Sequence, residues 1–182
     1  MMRKKANSGS ITLEASIMVP MFIMLMLLVN GLFIMFMGQQ IMTNALVQSA
    51  KSLAFDPYST QRVGDGASSS LMEMFTDIFS AVGGDYTSTE KWYEDNDALE
   101  DMIAERFAVY LRKDRTAAEN LLEQIGVENG LEGLDFSGSK VEDGVLTICL
   151  KYNQEYIFNV FGLATFERNI TVQVKLFTYN TI

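Results

Sequence analysis

The sequence predicts an α+β chain: a long N-terminal transmembrane and stalk helix, a helical middle and a C-terminal antiparallel β-sheet. Three observations carry that prediction. In a chain of 182 residues, no charge occurs from Ala15 to Ala50. Apolar residues then recur at helical spacing as far as Ile125. After Gly133 the apolar period shortens to two, around a hairpin signal.

The first element is the run Ala15–Met37, ASIMVPMFIMLMLLVNGLFIMFM, interrupted only by Ser16, Pro20, Asn30 and Gly31. A helix needs about 20 apolar residues to cross a bilayer. A helix apolar all round must be surrounded by lipid or by other apolar helices. A cleaved secretory signal has a core of only about 7–15 residues with a small-residue site after it; this run is longer and no convincing site follows it. Arg3, Lys4 and Lys5 precede the run. By the positive-inside rule the N-terminus is cytoplasmic and the C-terminal domain is exported.

Beyond Met37 the helix is predicted to leave the membrane and continue as a stalk. Ile41, Met42, Ala45, Leu46, Ser49 and Leu53 keep an apolar stripe, and Asp56-Pro57 is expected to end it. A helix over residues 10–54 would be on the order of 60 Å long.

Composition narrows the functions available. The formal net charge is −9, and residues from Ala15 onward hold 11 basic and 22 acidic side chains. Such a domain is repelled by nucleic acid and by anionic lipid headgroups. There is one cysteine, Cys149, and no histidine. An intramolecular disulfide is therefore impossible, and the commonest general base and transition-metal ligand are missing. No nucleotide-binding glycine loop, nucleophile elbow or CxxC pair occurs. We expect no enzyme, no catalytic residue, no metal and no cofactor.

Glu14 is the odd residue, an acid at the start of an apolar helix. Charge at a bilayer centre costs about 2.5–3.5 kcal/mol. By position alone Glu14 is a helix-start acid favoured by the macrodipole, with Thr12 or Ser10 as cap. Its neighbours suggest more. Gly9-Ser10-Ile11-Thr12-Leu13-Glu14 resembles the prepilin peptidase site of type IV pilins and pseudopilins. The longer string GSITLEASIMVP is similar to the opening of TadE-like pseudopilins of the tight adherence (Tad) system, with Pro20 six residues beyond the acid. The resemblance covers about residues 3–55, and Ser10 at the cut suits the Tad branch.

That resemblance implies several roles. Met1–Gly9 would be a basic leader, cut after Gly9 so that Ser10 becomes the N-terminus and Glu14 the fifth residue. Glu14 would pair with the Ser10 amine of a neighbouring subunit. The expected partners are prepilin peptidase, other pilin or pseudopilin subunits, the pilus assembly platform and the membrane. A pilin-like layout follows: leader 1–9, transmembrane and stalk helix 10–54, extracytoplasmic domain 55–182. The alternative from a different class is a single-pass anchored binding or sensor module.

Within the domain, DPYSTQRVGDGASS (56–69) reads as a loop. Ser70-Leu71-Met72-Glu73 fits a capping box opening a helix that Gly83-Gly84 stops. Further helices are predicted over about 97–112 and 115–125. The acidic cluster around Glu90, Asp95 and Asp97 is expected at a helix start rather than as a cation site. Asp143-Gly144 is a hairpin turn signal. Val145–Tyr152, Tyr156–Val160 and Arg168–Tyr179 read as strands of a three- or four-stranded antiparallel sheet. In the last, Ile170, Val172, Val174 and Leu176 alternate with Thr171, Gln173, Lys175 and Phe177. Cys149 is expected to be a small buried apolar residue.

Overall fold

The structure is a computed structural model that describes residues 8–64, Trp92, 98–112, 114–156 and 165–177; within the first stretch, side chains are described over 14–57. The predicted helix near 70–82, its capping box and most of the acidic cluster lie outside the described residues, as do the basic residues Arg3, Lys4 and Lys5.

Helix α1 spans Ser8–Gly64, ten residues beyond the expected end, with Pro20 and Pro57 inside it. Proline has no N–H for the helical ladder and normally weakens a helix interior. At Pro57 tertiary contacts override that weakness. The preceding Asp56 is 2% exposed and accepts hydrogen bonds from Trp92 Nε1 at 3.1 Å and Arg106 Nη2 at 3.2 Å. The Ala54 carbonyl accepts a hydrogen bond from the Phe177 N–H at 3.0 Å, and the Phe55 and Phe177 rings stack 4.6 Å apart. The residues expected to stop the helix are held by the domain instead.

Helix α2 is Leu99–Leu111, with Glu100 and Asp101 in its first turn, as the macrodipole favours. Helix α3 is Arg115–Gln124. The Asp114 side chain caps it by accepting from the Ala117 N–H at 3.1 Å. Both match the predicted helices within two residues. A 3-10 turn over Gly130–Gly133 leads into the sheet, where the Leu131 N–H donates to Glu119 Oε2 at 3.0 Å.

The sheet has three antiparallel strands, β1 (Lys140–Glu142), β2 (Val145–Glu155) and β3 (Thr165–Lys175), in that spatial order. Asp143 and Gly144 form the two-residue turn between β1 and β2, both at positive φ, 51° and 71°. That is the backbone a tight hairpin demands and the reason the Asp-Gly pair signals one. β2 and β3 pair over their whole length, from Val145 opposite Lys175 to Glu155 opposite Thr165.

The described strands differ from the predicted ones at their ends. β2 continues three residues past Tyr152, because Gln154 faces the core rather than solvent and donates to the Ile125 carbonyl at 2.9 Å. β3 begins three residues before Arg168. Tyr156 lies outside a strand, and the rest of the candidate 156–160 strand falls outside the described residues.

The helices cover one sheet face. Leu146, Ile148, Leu150, Tyr152 and Gln154 of β2 are all buried there. They meet Met42, Leu46 and Leu53 of α1, Leu99, Ile103 and Phe107 of α2, and Leu122 of α3 in one core. Cys149 is a correction. It has the parity of the outer face, is only half-buried, and lies 3.6 Å from Thr171 Oγ1. A strand buries alternate residues, and Leu150 takes the inward position.

Candidate membrane and assembly segment

Helix α1 is two segments with different surroundings. From Glu14 to Asn30 every side chain is exposed. These include Met18, Phe22, Met24 and Leu25, a contiguous apolar band of a kind that soluble monomers rarely leave bare. The helix is long and apolar enough to cross a membrane. From Gly31 onward one stripe turns inward: Gly31, Met35, Gly38, Met42, Ala45, Ser49, Leu53 and Asp56 are buried. Their spacing of three and four residues keeps them on one helical face. The opposite face stays exposed and apolar as far as Phe33, Phe36 and Met37.

The two glycines in that stripe mark where the domain lies against the helix. A Cβ on Gly38 would meet Gln154 Nε2 at 3.0 Å and Ile125 Cβ at 3.1 Å. A Cβ on Gly31 would run into the Tyr156 ring. Glycine in a helix interior costs about 1 kcal/mol relative to alanine, and here it admits a strand end and an aromatic ring. The Tyr156 hydroxyl donates to the Leu28 carbonyl at 2.7 Å. With a longer contact to the Leu27 carbonyl at 3.4 Å, it is the link between domain and helix nearest to the N-terminus among the described hydrogen bonds.

The upper end of the buried stripe is polar. Ser49 Oγ donates to the Ala45 carbonyl at 2.7 Å. Arg106 is 6% exposed and pairs with Asp56, while its Nη1 donates to Ser52 Oγ at 2.9 Å. Two charges out of water need this mutual satisfaction, because either alone would be strongly unfavourable. The pair ties α1 to α2 and, through Trp92, to the stretch between them.

The residues singled out from the sequence occupy the other end. Gly9 and Ser10 fall in the first turn of α1, so the Gly9–Ser10 bond lies where a helix frays most readily. Glu14 and Pro20 are exposed on the lower shaft. Glu14 stands four residues after Ser10, hence on the same side of the helix. Arg3, Lys4 and Lys5 lie outside the described residues. Among the described residues no group of three metal-binding side chains comes together.

Sequence reasoning missed Gly31, Gly38, Asp56, Arg106, Trp92 and Tyr156. The glycines carried a usable signal. They sit seven residues apart and in phase with the stripe Met42, Ala45, Ser49, so they extend the buried face downward. Arg106 carried none, since it reads as one more polar residue on an amphipathic helix. Comparisons with family models, with curated proteins and with solved structures give no significant match.

Proposed function

We propose that this chain is a TadE-like pseudopilin, a structural or minor subunit that is cut after Gly9 by a prepilin peptidase and takes part in assembling a Tad-type pilus. The observation that carries the reading is the division of α1. Its lower half is apolar and exposed, while its upper half is part of the domain core. Residues 14–30 supply none of the buried core side chains. The lower helix can therefore exchange lipid for neighbouring apolar helices while the domain core stays intact. A subunit extracted from a membrane into a fibre requires this separation, and the leader, Gly9 and Glu14 are what set it apart from a plain anchor.

The sequence at the tip supplies the rest of the mechanism. Cleavage after Gly9 frees the Ser10 α-amino group, whose ordinary pKa is near 8. It is therefore mostly cationic at neutral pH. Glu14 of an incoming subunit then meets that amine on its neighbour. In a poorly solvated helix bundle such a pair fixes register, because a shifted subunit strands a charge. Before assembly the leader lies in the cytoplasm and the domain outside it; after assembly the subunit belongs to an extracellular filament serving adhesion or secretion.

Coexpression with a prepilin peptidase tests this. The chain should lose Met1–Gly9 in its presence, and Gly9→Leu should block the loss. If the leader is retained and the Gly9 change alters nothing, the chain is a single-pass anchored module instead.

A further inference from the structure

The membrane span and the domain overlap along α1. The apolar run continues to Met37, yet the Tyr156 hydroxyl bonds the carbonyl of Leu28. Nine helical residues separate those levels, about 13 Å of rise. A hydrocarbon core about 30 Å thick that begins just after Glu14 ends near Met35. A domain that contacts the helix at Leu28 then cannot stand clear of the lipid.

The chemistry of the overlapping end suits immersion. We infer that the α1-proximal end of the β2–β3 hairpin, carried by Tyr156 and Phe166, is a lipid-contacting surface that enters the bilayer interface beside α1. The hydroxyl end of the Tyr156 ring packs against Gly31, with the hydroxyl satisfied at 2.7 Å by a backbone carbonyl. A phenol entering hydrocarbon needs such a partner, because no water is there to supply one. Phe166 is 44% exposed at the opposite strand end. The Arg168 guanidinium carbon lies 5.8 Å from the Phe166 ring centre, so a cation and an apolar ring sit side by side, a pairing that suits a headgroup boundary. Glu167 and Gln40 are exposed and mark the polar side of that boundary, and the exposed Glu155, opposite Thr165 at the strand end, limits immersion to the headgroup level. The connecting sequence 157–164, IFNVFGLA, contains no charged residue. Aromatic residues of this kind concentrate at membrane interfaces.

The inference rests on α1 crossing a membrane, and the test separates the two claims. The full chain is placed in phosphatidylcholine nanodiscs with or without bromine on the acyl chains, which quenches nearby tryptophan. The wild-type chain reports Trp92 alone. Its partner Asp56 stands 28 residues above Leu28, about 42 Å, so its emission should be the same in both discs. Leu25→Trp reports the span and should lose emission to deep bromines. Phe166→Trp should lose emission chiefly to bromines near the headgroups and shift to the blue. Tyr156→Trp is a second reporter should the first variant fail to fold. If Leu25→Trp is quenched while the hairpin reporters emit equally in both discs, the hairpin contact is wrong and the span stands. If Leu25→Trp is unquenched as well, both are wrong.

Discussion

Replacing Asp56 with alanine should weaken the joint between the upper half of α1 and the domain. Asp56 is 2% exposed and its ion-pair partner Arg106 is 6% exposed. The carboxylate accepts from Arg106 at 3.2 Å and from Trp92 at 3.1 Å. Removing it strands a buried guanidinium, and breaking such a pair costs about 3–5 kcal/mol. Domains commonly have only about 5–15 kcal/mol of total stability. For a chain of this size each kcal/mol moves Tm by about 2–4 °C, so a fall on the order of 10 °C is expected. The assay is thermal unfolding of the full chain in detergent micelles, read by the emission of Trp92, the single tryptophan. A double variant, Asp56→Leu with Arg106→Met, should recover most of the loss, because it removes both charges together. An unchanged melting temperature for Asp56→Ala, or a double variant as unstable as the single one, would refute this account of the joint.

Other outcomes follow from the same geometry. Leu46→Ala removes a fully buried side chain and should cost about 2–5 kcal/mol. Leu25→Ala, 58% exposed on the same helix, should leave domain melting unchanged, and equal effects of the two would contradict the division of α1. Burial raises the Tyr152 phenol above its ordinary value of 10.0, with Arg168 opposing. A raised acid favours folding while neutral, so that contribution is complete below pH 10 and is lost as pH rises through the folded value. The Tyr152 hydroxyl is buried without a hydrogen-bond partner among the described residues. Tyr152→Phe should therefore hold or raise Tm at neutral pH and flatten the alkaline decline; a drop of several degrees would show that the hydroxyl has a stabilising partner. Glu14→Ala should insert in membranes normally, by carbonate extraction, yet yield few filaments by electron microscopy. Normal filaments would remove the pairing role.

Much of the fold was legible because local rules and packing agree. Asp143-Gly144 turned where its positive φ angles required, and the apolar spacing of Ala118, Leu121 and Leu122 placed the helix that Arg115–Gln124 forms. The alternation Ile170, Val172, Val174 matched a strand half-buried on one face. Legibility failed where a distant contact overrode a local rule. Asp56-Pro57 is a strong stop signal, but Trp92 and Arg106, 36 and 50 residues away in sequence, hold that turn in the helix. Cys149 was misread because composition alone cannot fix strand parity. Ala15–Met37 reads as apolar all round, and the sequence does not show that Gly31 and Met35 within it face the domain. Apolar periodicity cannot tell lipid from protein as the surrounding medium.

The N-terminus of the chain recovered from sheared surface filaments tests the central claim most directly. Cells producing the chain with its prepilin peptidase are sheared, the filaments are collected, and the terminal peptide is read by mass spectrometry. The account predicts chain in the filaments beginning at Ser10. Absence from the filaments, with membrane-bound chain still carrying Met1–Gly9, would contradict it.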